Sequence, residues 1–331
     1  MAALTAVALL VAVCWGGVPV DRLAGRLLKP LLRLTIAVGV GLLLGIIIES
    51  ANFTAGIGRV FAPLLRFGHL KEPSALAFST AFFSAVSASA ILMNAYQDNA
   101  ISRRELTISA LILTFPAFFA HLPSMFFIIT PFVGVLGVYY LLILLGGDIL
   151  RTFGFLLYAR LSLPAYEPTL SAPDRERPSW SQVWRETQKK FVSRLYNILV
   201  ITIPIFVLVF LAREAGAFDW LRHHLTGLLK GMQLPVEAFS ILIFSLAAET
   251  AGGFAAAGAL LEGQALRPAV VLFTLVLGTI LSSPMRAVRH QLPYYLGIYT
   301  PALGLKLLVL SQVFRVLSLL PFLLGIYYCG F

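Results

Sequence analysis

From Leu34 to Tyr328 the chain is a succession of long apolar runs separated by short charged loops. That pattern constrains the fold more than any single motif. Soluble domains carry about a quarter charged residues. Here 12% of 331 residues are charged and 59% are hydrophobic. A surface built from such a chain needs lipid, not water, as its solvent. The expectation is an all-α polytopic membrane protein, multi-pass in the inner cell membrane, with about eight to ten membrane segments. The formal charge of +10 does not point to nucleic acid. Lys and Arg sit in loops between apolar runs, where orientation in the bilayer accounts for them.

Cys14 and Cys329 lie in apolar terminal segments, with no CxxC and no disulfide framework. HExxH, GxSxG and paired catalytic aspartates do not occur, so no enzyme is expected. No cofactor or metal site is expected. Residues 1–33 read as a retained first membrane helix followed by a basic loop with Arg22, Arg26, Lys29 and Arg33. No Lys or Arg precedes the apolar run, and Val13 suits signal cleavage poorly.

Two stretches repeat one plan. Pro73–Tyr96 reads PSALAFSTAFFSAVSASAILMNAY, and Pro235–Gly263 reads PVEAFSILIFSLAAETAGGFAAAGALLEG. Each opens at a proline after a charged loop, and each is apolar yet crowded with Ser, Ala, Thr or Gly. A polar turn and two apolar segments follow each. The prolines are 162 residues apart, an offset that sets Ser87 on Glu249 and Glu105 on Arg267. ITPFVG (Ile129–Gly134) matches YTPALG (Tyr299–Gly304) at an offset of 170. The organisation expected is a repeat over 34–147, a hydrophilic, cytoplasmic linker over 148–194 and a second repeat over 195–331. The final run, Leu292–Tyr328, is too long for one helix and is expected to break at Pro301 or near Arg315.

The small and polar residues at the middles of both stretches suit re-entrant hairpins lining a cavity. Hairpins leave three crossings per repeat and make the repeats inverted. Spanning helices leave four and make them parallel. The positive-inside rule does not separate the two. Broken helices near the midplane of paired repeats, the recurrent transporter plan, favour the hairpins.

On PSALAFSTAFFSAVSASA, the turn DNAISRREL, ITPFVG and their second copies, the chain resembles the nucleoside-recognition (Gate) domain family. Two such domains in one chain are similar to the membrane part of bacterial ferrous iron transporter B, and to spore maturation proteins A and B fused. The resemblance to concentrative nucleoside transporters implies paired repeats with re-entrant hairpins. The chain departs from that pattern in having no GTPase domain and no cysteine in either hairpin.

Glu249 is the sharpest candidate residue. A carboxylate deep in an apolar stretch must be paired, protonated or coordinating a cation. With Thr250 it would form a solute or coupling-ion site at a hairpin tip; otherwise it is a carboxyl bonded between helices for stability. Lys306, in GLKLLVL, is either its partner or a snorkelling surface lysine. Ser87, Ser89 and Asn94 offer hydroxyl and amide ligands, against back-bonding within their own helix. Thr130–Pro131 and Thr300–Pro301 free carbonyls for Na⁺ or substrate, or simply kink their helices. His121 and His290 are proton-relay candidates or water-satisfied interfacial residues.

The first function expected is a secondary transporter of a small polar solute, nucleoside-like in one version, coupled to Na⁺ or H⁺. An ion or metal permease and a non-transporting membrane scaffold are the alternatives. A homo-oligomer is compatible with any of them. A cavity where the hairpins meet favours transport, and a dry contact favours the scaffold.

Overall fold

The computed structural model describes residues 23–50, 61–166, 179–216 and 234–330. Among them every regular element is helical. A π-helical turn (Ala24–Leu28) leads into α1 (Lys29–Ser50). Then come α2 (Ala62–Phe67), α3 (Glu72–Ala81), α4 (Ala85–Gln97), α5 (Arg103–Ile112), α6 (Thr114–Val133) and α7 (Val135–Ser162). The second half holds α8 (Trp180–Glu214), α9 (Ala238–Glu262), α10 (Pro268–Arg286), a π turn (Ala287–Gln291), α11 (Leu292–Ile298) and α12 (Pro301–Gly330). Five spans among the described residues are long and apolar enough to cross a membrane: Arg103–Val133, Val135–Ser162, Trp180–Ala212, Pro268–Arg286 and Pro301–Cys329. The first of these is α5 and α6 end to end. This is an all-α membrane protein.

The first of the two matched stretches is a broken element. α3 and α4 pack against each other. At 10 and 13 residues they rise about 15 and 20 Å, short of a bilayer core of about 30 Å. The break comes at Phe82–Ser84, where Ser84 is extended (φ −154°, ψ 104°) and its hydroxyl accepts from Ser87 N. That cap satisfies one orphan amide of α4. Phe61, Phe78, Phe82, Phe115 and Phe119 stack around the break with ring centroids 5.3 to 6.5 Å apart.

The second stretch was expected to break as the first does. Instead helical backbone continues through it as α9. Yet α9 is not straight. A Cβ added at Gly252 would collide with the carbonyl oxygen of Phe244, and one at Gly253 with Ser245 Oγ. In a straight helix, residues eight apart are separated by about 12 Å along the axis. α9 is therefore sharply bent at its middle, and residues on either side of the bend touch. Glycine at 252 and 253 leaves room for that contact.

The turns that follow the two stretches match in backbone detail. Asn99 (φ 56°) and Gln264 (φ 51°) both occupy the left-handed region. Asp98, Asn99 and Ala100 donate to Asn94, Tyr96 and Ala95, and Gly263, Gln264 and Ala265 donate to Ala259, Leu261 and Leu260 in the same pattern. Extended N-cap residues follow, Ser102 and Arg267. α5 and α10 then start 165 residues apart, α6 and α11 end 165 apart, and α7 and α12 start 166 apart. The structural spacing thus lies between the 162 and 170 read from residue matches. The T-P-x-x-G matches are not equivalent: Gly134 (φ 58°) ends α6, whereas Gly304 lies inside α12.

α7 and α12 pack antiparallel. Gly146 faces Phe322 and Gly147 faces Leu319, where an added Cβ would fall 2.7 and 2.8 Å from the ring and the methyl. Arg151 meets Ser318 at 3.3 Å, and the rings of Phe155 and Phe314 lie 4.8 Å apart. Following α7 forward meets α12 in reverse. The two glycines permit the close approach that binds helices in lipid.

One sequence expectation is corrected here, and one of two alternatives for another is borne out. The hydrophilic linker does not begin at residue 148, because α7 runs to Ser162 and α8 begins at Trp180. Asp148 and Arg151 stay helical because they pair with one another inside the fold. The final run breaks at Tyr299–Thr300, directly before Pro301, the first of the two places expected, and α12 passes through Arg315 uninterrupted. Residues 1–22, the expected first helix, lie outside the described residues.

Glu105 secures the broken element from outside. Its Oε1 accepts from Lys71 N and from Ser74 Oγ, both at 2.8 Å. Its own amide donates to Ser102 Oγ at 3.1 Å. One buried carboxylate thereby caps the start of α3 and ties it to the start of α5.

Candidate functional site

Where α7 and α12 cross, a cavity of about 200 Å³ opens between them, α4, α5, α6 and α11. Its walls include Ser89 on α4, Thr114 and His121 on α6, Asp148 and Arg151 on α7, and Gln291, Ser311, Gln312 and Arg315 from the final segments. Leu113, Phe118 and Met125 supply an apolar side. The polar residues are far from the helix ends: Asp148 and Arg151 lie mid-way along α7, and Arg315 mid-way along α12.

The polar wall is organised in two parts. On one side Asp148 forms an ion pair with Arg151, three residues on. Both are buried, at 4% and 8% relative exposure. Arg151 Nη1 donates to Ser318 Oγ at 3.3 Å and Nη2 to Thr114 Oγ1 at 3.2 Å. Arg151 Nε is buried without a hydrogen bond among the described residues. On the other side Ser283 Oγ donates to Gln312 Oε1 at 2.6 Å. Gln312 Nε2 donates to Gln291 Oε1 at 3.2 Å and to Ser311 Oγ at 3.3 Å. Deeper in, the Tyr140 hydroxyl and Thr279 Oγ1 share a hydrogen bond of 2.8 Å, and Arg286 Nη2 donates to Ser282 Oγ at 3.5 Å.

Charge of this kind within membrane helices is costly, and it persists where the groups pair or face a polar cavity. Here Asp148 and Arg151 pair with one another and both line the cavity. The arrangement can fix a small polar molecule by guanidinium, amide and hydroxyl groups at once.

Of the residues expected from sequence, the structure brings Ser89 and His121 to this cavity. Ser87 is exposed, its amide spent on the Ser84 cap. Asn94 is exposed and does not line the cavity. Thr130 Oγ1 bonds back to Phe126 O at 2.7 Å, and the Thr130 carbonyl accepts from Gly134 N. The Thr300 carbonyl accepts from Gly304 N. Both threonines belong to helix junctions and neither lines the cavity. Lys306 is exposed and borders a separate apolar groove of about 740 Å³ between α5, α7 and α12. The backbone is helical at Glu249 and Thr250, and their side chains lie outside the described residues. No cluster of three or more His, Cys, Asp or Glu suited to a metal is found among the described residues.

The sequence reading missed Asp148, Arg151, Gln312 and Arg315. One signal was available: ionisable residues at 148, 151 and 315, each inside or bordering an apolar run.

Three proteins of Methanocaldococcus jannaschii are similar to this chain, each named as an uncharacterized protein. One is 29% identical over 84% of this chain and 88% of its own length. A second is 23% identical over 82% and 84%, and a third 22% over 88% and 95%. No family model matches the chain and no solved structure matches it.

Proposed function

We propose that this protein is a membrane transporter of a small polar solute, built from two inverted repeats that meet at α7 and α12. The observation that carries the reading is the polar cavity at their crossing, walled by an intramembrane ion pair and a glutamine–serine network. The cavity expected where the two stretches meet is displaced: the first stretch lines this one through Ala85 and Ser89, and no described residue of α9 does.

The repeat reading is supported by the matched turns at Asn99 and Gln264 and by the constant spacing of helix starts after them. Inversion is supported by counting crossings. α7, α8, α10 and α12 are each long enough to cross once. If α9 crossed as well, α12 would run parallel to α7. If α9 returns to the side it entered, α12 runs antiparallel to α7, as their contacts have it. The collision of Gly252 with Phe244 in α9 supports the same return. On this reading α3–α4 and the bent α9 are the two re-entrant hairpins, and helix breaks near the midplane border the solute path.

The test is uptake into proteoliposomes of labelled uridine, phosphate and succinate, with Arg151→Gln protein as the control. Uptake of at least one solute above the control supports the reading. Folded, reconstituted protein that moves none of them above the control contradicts it.

A further inference from the structure

The charges of the described residues that line the cavity do not balance. Asp148 is the one carboxylate among the described residues that line it, and Arg151 already pairs with it. Arg315 faces the same space. Among the described residues its guanidinium makes no hydrogen bond and no ion pair. The described residues of the inner wall thus carry one more positive charge than their own carboxylate neutralises, in a setting where a lone guanidinium is costly. Arg151 adds a second donor, since its buried Nε is without a partner among the described residues.

We infer that the cavity binds a solute bearing a phosphate or carboxylate group, with its anionic oxygens set against Arg315 and Arg151. A guanidinium presents a planar fork of N–H donors matched to such oxygens. Ser89, Gln291 and Gln312 complete the polar shell, and Phe118 with Met125 lies against the rest of the molecule. The inference rests on the reading of this cavity as the solute site, and it names the substrate class of that site. The volume of about 200 Å³ suits an inorganic oxyanion or a small organic acid.

The same anionic group could arrive from water or on a lipid. Arg151 lines both the cavity and the apolar groove of about 740 Å³ beside α7 and α12, so it forms a common wall between the two spaces. The two sources are separable by experiment.

Calorimetric titration of the full chain in neutral detergent, with inorganic phosphate, succinate, uridine and phosphatidylglycerol in turn, tests the inference. Phosphate or succinate is expected to bind, with affinity falling as salt is raised, and uridine is expected not to. Binding of phosphatidylglycerol in their place also upholds the anion site and assigns its source to lipid. Arg315→Gln should weaken binding about tenfold or more, the scale of a lost charge-assisted hydrogen bond. Arg315→Lys, which keeps the charge without the fork, should fall between and serves if Arg315→Gln does not fold. The inference is overturned if no anion binds, if uridine binds as well as the anions, or if neither Arg315 variant weakens binding. Anion binding without uptake into proteoliposomes would instead overturn the transporter reading and leave the anion site standing.

Discussion

Asn99 and Gln264 lie 165 residues apart and hold the same left-handed backbone, with φ of 56° and 51°. Neither is glycine, although left-handed backbone costs a residue with a Cβ roughly 1–2 kcal/mol. Each closes a helix by the same three hydrogen bonds and precedes an extended N-cap residue. Two such turns, followed by helices with matched starts and ends, are the observation on which the proposed repeat rests.

Glycine at 252 separates a bent α9 from a straight one. In a straight helix Gly252→Ala would stabilise by about 1 kcal/mol through helix propensity. In the bent element the new methyl meets the Phe244 carbonyl, which cannot rotate away. The expected result is a lower unfolding midpoint for Gly252→Ala. Gly154→Ala, where nothing lies within 4 Å, should leave the midpoint equal or raise it. Thermal unfolding of both variants in detergent reads the difference.

Breaking the ion pair in α7 should be severe. Removing one partner of a buried pair costs about 3–5 kcal/mol, because the other charge is left unpaired. Asp148→Asn strands Arg151, which retains only Ser318 and Thr114. Arg151→Gln strands Asp148. The double variant Asp148→Asn, Arg151→Gln is expected to be less destabilised than the sum of the two. A double-mutant cycle on unfolding midpoints measures that coupling.

Glu105 carries a structural load at the other end of the first half. Glu105→Ala removes the acceptor for Lys71 N and Ser74 Oγ. Each charge-assisted hydrogen bond contributes about 1.5–3 kcal/mol, so the loss should exceed that of an exposed carboxylate such as Glu72. Glu105→Gln retains an acceptor oxygen and should fall between. Proteolysis within 98–102 should accelerate in the same order, since these substitutions loosen α3 and α5 together.

What the sequence made legible was the class of fold and the rhythm of its parts. Apolar runs, prolines and polar turns marked α3–α4, α9 and the turns at 98–102 and 263–267 closely. The spacing between the two matched turns was less visible. Residue identity suggested offsets of 162 and 170, whereas backbone geometry gives 165. Turns conserve φ and hydrogen bonds while exchanging Asn for Gln, which letter matching does not register. The cavity was the least legible part. Asp148 and Arg151 read as the start of a linker because a charged side chain lowers hydropathy whether or not a partner neutralises it. Their pairing depends on a three-residue helical spacing, and their burial on Gly146 and Gly147 letting α12 approach. The Arg315 region was the alternative to Pro301 for a break in a run too long for one helix, and the structure takes Pro301.

The inverted arrangement of the halves is tested most directly by the sidedness of Asn99 and Gln264, both exposed. Asn99→Cys and Gln264→Cys would each be introduced singly, with Cys14 and Cys329 replaced by serine, in sealed vesicles of known orientation. A membrane-impermeant maleimide would then be added from one face at a time. Inverted repeats place the two turns on opposite sides, so each cysteine should react from the face that leaves the other untouched. Labelling of both from the same face would contradict inversion, and with it the account of a solute path between two opposed halves.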